Sequence, residues 1–169
     1  MVYKVDVRHV RHFIQEVDLF RGLSVQNLDR VAGLCEEWEF DEGQILGVQN
    51  EPGDRIYIIR DGEITVTTGA LDKALVVRTV RERETFPVAV LFDPPLLITS
   101  SHAATRGSAF VIPRVRLMEL CELVPRIGMH IYKAASVILV SRYRYTLDRL
   151  ADPLGELTEI APRSAGGEV

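Results

Sequence analysis

Two cysteines in 169 residues, Cys35 and Cys121, are too few for a disulfide framework or a zinc cluster. Reduced thiols and a cytoplasmic location are the expectation. No run of 18 apolar residues occurs, so no membrane-spanning helix is predicted. The first stretch, MVYKVDVRHVRHF, carries charges throughout and does not read as a signal peptide. Basic residues are not in excess: 20 Lys and Arg face 24 Asp and Glu, a formal net charge of −4. The electrostatics of a dedicated nucleic-acid binder, with a pI above roughly 9, are therefore absent. Serine, histidine, cysteine and carboxylate residues occur, but in no motif that would join them as a catalytic set, so an enzyme is not expected.

The composition that is present, 47% apolar and 26% charged, is that of a globular chain of about one domain. Val10, Phe13, Ile14 and Val17 follow helical spacing and predict an amino-terminal helical extension over residues 1–17. Ser24 is placed to cap a second helix, whose buried face is Leu28, Val31, Ala32 and Cys35. From residue 36 to 112 the period changes to two. Short apolar runs, among them Arg55–Ile59, Glu63–Thr67, Ala74–Val80 and Leu96–Ser100, alternate with Gly, Pro, Asn and Asp breaks. Asp61-Gly62 between two such runs predicts a tight hairpin. The pattern is mainly β with flanking helices, a jelly roll of about eight strands. Helical spacing returns after Pro113, with Leu117, Leu120, Cys121 and Val124 on one face. Pro125 separates that helix from a long one over 126–150, and the Gly/Pro-rich residues 151–169 are expected to form a flexible tail.

Certain segments carry a resemblance. They are Leu19-Phe-Arg-Gly-Leu-Ser24, Phe40-Asp-Glu-Gly43, Glu51-Pro-Gly-Asp54 and Tyr57-Ile-Ile-Arg-Asp-Gly-Glu-Ile-Thr-Val66. In this order, over residues 18–150, the chain resembles the cyclic nucleotide-binding domain family. That family includes sensor domains of catabolite-activator-type regulators, regulatory subunits of protein kinase A and gating domains of certain channels. The resemblance implies a β roll with a ligand pocket, cyclic AMP or cyclic GMP as ligand, and a regulatory role. It places the ligand in a cassette whose family pattern is Phe-Gly-Glu, several apolar residues, then Arg-x-Ala. Here Phe86 matches. The glycine position holds Pro87, which has no N–H; the glutamate position holds Val88; the arginine position holds Leu97, with Ile98 and Thr99 following. Losing a buried charge-assisted partner of a phosphate costs about 2–5 kcal/mol. The residues thus argue against either cyclic nucleotide as a cofactor, although the resemblance implies one.

His102, on the strand after the cassette, is either a substitute for the lost positive charge or an ordinary strand histidine. Thr99-Ser-Ser101 offers hydroxyls to a ligand or to solvent. Arg78, Arg81 and Arg83, balanced by Glu82 and Glu84, read as a solvated strand end. Arg142, Arg144 and Arg149 suit the negative end of the last helix. His9 and His12 share a helical face, but no further ligand pattern accompanies them, so no metal is expected. In the long helix, Met129, Tyr132, Ser136, Leu139, Tyr143, Thr146 and Leu150 step by three and four residues, the spacing of a coiled-coil seam. Ile127, Ile131, Ala134 and Ile138 form a second stripe. One stripe for the roll and one for a partner predicts a homodimer through this helix; an unknown protein partner is the other occupant. Some twenty residues after Leu150 leave no room for a helix-turn-helix DNA-binding domain within this sequence. Two functions stay open: a non-catalytic sensor module of the family, or a ligand-free dimerisation or protein-interaction module built on the same fold.

Overall fold

Alternation in the middle of the chain produces two four-stranded antiparallel sheets. The computed structural model describes residues 5–69 and 74–159, with side chains as far as residue 149. Two helices come first, α1 (Val7–Ile14) and α2 (Val25–Ala32). Strands β1 (Glu36–Phe40), β2 (Ile45–Gly47), β3 (Arg55–Asp61), β4 (Ile64–Thr68), β5 (Leu75–Val80) and β6 (Thr85–Phe86) follow. After a 3₁₀ turn, Val88–Leu91, come β7 (Ser100–Ala103), β8 (Gly107–Pro113), α3 (Arg114–Leu123) and α4 (Pro125–Glu159). The sheets have the orders β1-β8-β3-β6 and β2-β7-β4-β5, the jelly roll expected from the sequence.

Burial explains why β3 reads as a continuous apolar run. Ile56 and Ile58 face a cluster shared with the helices, while Tyr57 and Ile59 face the interior of the roll. The first sheet is therefore covered on both faces, and its central strands need no polar side. Helix α1 shares that core: Val10, Ile14 and Val17 are buried in the helix-side cluster, and Phe13 packs edge-on against Phe110 at 5.6 Å. The stretch 1–17 is thus packed on the roll wherever it is described. Ser24 caps α2 by accepting from the Asn27 N–H, and Pro125 opens α4.

Three local expectations are corrected. The run Leu96–Ser100 is not a strand; β7 begins at Ser100, because Pro94 and Pro95 carry no N–H and Leu97 spends its backbone groups on the loop before β3. The short strand β6 was not anticipated, since two residues carry no period. Helix α4 does not stop at 150 but runs to Glu159. Leu147, Leu150, Leu154 and Leu157 continue the helical spacing, and Pro153 forfeits one backbone hydrogen bond without ending it. The rest of the expected tail, 160–169, lies outside the described residues.

The Asp61-Gly62 hairpin turns with Gly62 at φ 85°, as its sequence requires. A different constraint acts on Gly107, which faces the end of β3: a Cβ there would lie 2.2 Å from the Asp61 carbonyl oxygen and 2.7 Å from the Phe40 ring. Rigid backbone cannot yield to such a contact. Gly107→Ala is expected to cost more than about 2 kcal/mol in a urea titration. Gly43→Ala, at φ 80° with open space around it, is expected to cost only about 1 kcal/mol of backbone strain.

Candidate ligand pocket between cassette and last helix

Between β6 and β7 the chain makes an apolar loop rather than a charged clamp. Val88, Val90, Leu91 and Leu97 are all buried in the helix-side cluster. Leu97, 8% exposed, sits over the two glycines Gly47 and Gly53, whose missing side chains leave room for it. Its N–H donates to the Glu51 carbonyl at 2.9 Å, and its own carbonyl accepts from the Asn50 N–H at 2.7 Å. Arg114, on the first turn of α3, donates to the Val90 carbonyl and to Asp93, each at 2.6 Å. The position that the family pattern gives to arginine is therefore a core packing position, held from both sides.

A cavity of about 280 Å³ remains beside this loop. Phe86, Pro87, Val88, Ala89, Ile98 and Thr99 line it from the cassette, and Val66 and Val77 from the second sheet. Helix α4 closes it with Leu139, Arg142, Tyr143, Tyr145 and Thr146. Of the six cassette residues singled out in the sequence, five meet in this cavity; Leu97 does not. His102 is also elsewhere: it pairs with Thr65 across β7 and β4, while its neighbours Ser101 and Ala103 face inward. On the alternation of a strand, His102 stands on the outer face. Ser100 is engaged in accepting from the Gln49 N–H, and Thr99 is the hydroxyl that reaches the cavity.

The positive charge at this cavity comes from elements that sequence reasoning set aside. Arg78 is not part of a solvated strand end: with 19% of its side chain exposed, it lines the cavity and pairs with Glu84 at 2.8 Å. Arg81 and Arg83 are exposed, as expected, and pair with Glu63, and with Glu16 and Glu82. Arg142 was read as a charge suited to the helix end, yet it points back to the roll and donates to the Thr85 carbonyl at 3.1 Å. Burial, and then the neighbouring Arg78, lower its pKa to about 10, against a smaller opposing pull from Glu84. The signal was available: Ile131, Ala135, Ile138 and Arg142 step by four, three and four along the buried stripe.

The exposed stripe of α4 also differs from its expected course. Met129, Tyr132, Ser136 and Tyr143 are exposed, but Leu139 packs on the helix-side core, and both Leu139 and Thr146 line the cavity. Val140 and Leu147 take their places outside, 50% and 44% exposed. A straight helix of 3.6 residues per turn drifts by about 20° per heptad against a 3.5-residue stripe, so such a stripe does not keep to one face along α4. The side chain of Leu150 lies outside the described residues.

Neither cysteine offers a nucleophile. Burial, then Glu36, pushes the Cys35 thiol up to about 12, and burial, then Glu122, pushes Cys121 to about 11, so both stay protonated at neutral pH. Among the described residues, no three His, Cys, Asp or Glu side chains gather as a metal site, and no helix is long and apolar enough to cross a membrane.

The roll thus keeps a cavity under a packed carboxyl-terminal helix. The chain belongs to the cyclic nucleotide-binding domain family, whose model matches residues 37–123. It is 25% identical over 135 residues to a CRP-like cAMP-activated global transcriptional regulator of Mycobacterium tuberculosis, covering 79% of this chain and 58% of that protein. It is 33% identical over 55 residues to a cAMP-dependent protein kinase regulatory subunit of Dictyostelium discoideum, covering 32% of this chain and 17% of the relative. The chain thus spans less than two thirds of these relatives. Among solved structures, a cyclic nucleotide-binding domain from Methylobacillus flagellatus superposes with a TM-score of 0.72 at 18% identity, over 96% of this chain and 86% of that one. The amino-terminal domain of a transcriptional regulator from Streptomyces coelicolor A3(2) gives 0.64 at 20% identity, over 96% and 100%. These two likenesses establish the shared fold.

Packing and exposure at the cassette separate two adjacent residues. Leu97→Ala is expected to lose about 2–4 kcal/mol of stability, as a buried leucine does. Ile98→Ala, at a site 61% exposed, is expected to lose less than about 1 kcal/mol by the same denaturant titration.

Proposed function

We propose that this chain is a non-catalytic regulatory sensor module that reads a small, mainly apolar ligand in the cassette cavity and not cyclic AMP or cyclic GMP. The observation that carries this reading is the cavity itself. It stays open at about 280 Å³, close to the lower end of small-molecule sites, while its cassette wall supplies no charged side chain. Pro87 offers no N–H, Val88 no carboxylate, and Leu97 is committed to the core. Arg78 is already paired with Glu84, which leaves Arg142 and the Thr99 hydroxyl as polar contacts for an acceptor group on the ligand. Because α4 forms one wall, occupancy of the cavity acts directly on that helix.

The response passes to a second copy of the chain. Ile127, Ile131 and Ala135 anchor one face of α4 in the core, and Met129, Tyr132, Val140, Tyr143 and Leu147 leave an apolar stripe outside. This stripe supports homodimerisation whether or not the cavity is filled, so a ligand-free dimerisation module is the second reading. A protein ligand other than a second copy would compete for the same stripe.

Isothermal titration tests the ligand reading. Cyclic AMP and cyclic GMP are expected to bind no tighter than about millimolar, since loss of the charged anchor removes about 2–5 kcal/mol. A micromolar dissociation constant for either would overturn it. A thermal-shift screen of small aliphatic and aromatic acids and alcohols then separates the sensor from the ligand-free module: a hit abolished by Ile98→Trp supports the former.

Sedimentation tests the dimer. The chain is expected to be dimeric at micromolar concentration, and Val140→Glu with Leu147→Glu is expected to weaken association at least about 10-fold by burying two charges in an apolar seam. A monomer throughout a micromolar dilution series would refute the homodimer.

A further inference from the structure

On the other side of Arg142 lies a second and larger cavity, about 660 Å³, between α4 and the end of β6. Its walls differ in kind from the cassette cavity. Arg78 and Arg142 border both spaces, but Thr85 and His130 line this one alone. Each of these two residues buries a polar atom without a hydrogen-bond partner among the described residues: the Thr85 hydroxyl, on a residue 4% exposed, and His130 Nε2. Buried polar atoms are nearly always paired, and two orphans on one cavity point to an absent occupant.

The local charge has the same sense. Of the two guanidinium groups here, only that of Arg78 has a carboxylate partner. Both oxygens of Glu84 are taken, one by Arg78 at 2.8 Å and the other by the Arg81 N–H at 2.8 Å. Arg142 has no carboxylate within salt-bridge distance among the described residues, and its neighbour Arg78 repels it. Lys133 also lines the cavity and likewise makes no ion pair among the described residues. Asp18 and Arg21 at the rim satisfy each other at 3.3 Å.

We propose that this cleft is an anion site for a phosphate group, held by Arg142 and Arg78 and completed by the Thr85 hydroxyl and His130. Donors that converge from a strand, a second strand and a helix suit a tetrahedral oxyanion with several acceptor oxygens better than a flat carboxylate. Ala134, Val137 and Ile138 give the cleft an apolar side, so a phosphate monoester with a small organic body fits it as well as the free ion. The site shares Arg78 and Arg142 with the cassette cavity and differs from it in Thr85, His130 and Lys133, which that cavity lacks.

The test titrates the whole chain with inorganic phosphate and with glycerol 3-phosphate, at constant ionic strength against chloride. Phosphate is expected to bind and to raise the melting temperature where chloride does not. Equal affinities for the two probes assign the free ion, and tighter binding of glycerol 3-phosphate assigns the monoester. Arg142→Gln is expected to weaken phosphate at least about 10-fold, as loss of a hydrogen bond to a charged group does. Val137→Asp sets a carboxylate in this cleft at an exposed position outside the cassette cavity, so the fold survives and phosphate affinity falls at least about 10-fold. Ile98→Trp, which fills the cassette cavity, leaves phosphate affinity within about twofold, below the smallest hydrogen-bond effect. Phosphate binding no better than chloride overturns the proposal. So does binding that Ile98→Trp abolishes and Val137→Asp spares, which would place the anion in the cassette.

Discussion

Burial of Leu97 is the constraint around which the rest of the pocket is arranged. A leucine in the helix-side core needs space, and Gly47 and Gly53 provide it by having no side chain. Once it is seated, its backbone is fixed by Asn50 and Glu51, and the cassette before it is held by Arg114. A loop secured in this way presents its apolar side to the cavity and has no free cation to offer. Leu97 is thus part of the packing that holds the loop in place.

The charge that the cassette lacks reappears across the cavity. Arg142 reaches from α4 and Arg78 from β5, and they meet near Glu84 and the Thr85 carbonyl. Arg142 belongs to α4 and not to the loop, so its bond to the Thr85 carbonyl ties that helix to the roll. Two spaces of different character meet at the Arg78 and Arg142 side chains.

Much of the fold was legible in the sequence because glycine and proline report turns directly. Asp61-Gly62 marked its hairpin, Ser24 its helix cap and Pro125 the start of α4. The jelly roll of about eight strands followed from the alternating runs and their turn signals, but the strand order did not. What the sequence did not reveal lies where two packing rules compete. Leu96–Ser100 looks like a strand by composition, but the two prolines before it and the loop opposite it claim its hydrogen bonds. Leu139 fits a 3.5-residue seam, but it packs on the helix-side core. Arg142 was hidden by its type: arginine in the second half of a helix is ordinarily a solvated, dipole-complementing residue, and only its step from Ile138 marks it as inward-facing.

The length of α4 has a mechanical consequence. At 1.5 Å per residue, a helix of 35 residues is about 52 Å long. Its root, Ile127 to Ala135, is clamped in the core, and Arg142 and Thr146, which line the cassette cavity, lie near its middle. Such a rod works as a lever with a short input arm and a long output arm. A shift of about 1 Å where Arg142 and Thr146 meet the roll becomes roughly 2–3 Å at Glu159, by simple proportion along the helix axis. Interhelical contacts change registry on that scale, so a displacement at the wall would reach the far end of the rod enlarged to a size that matters for packing.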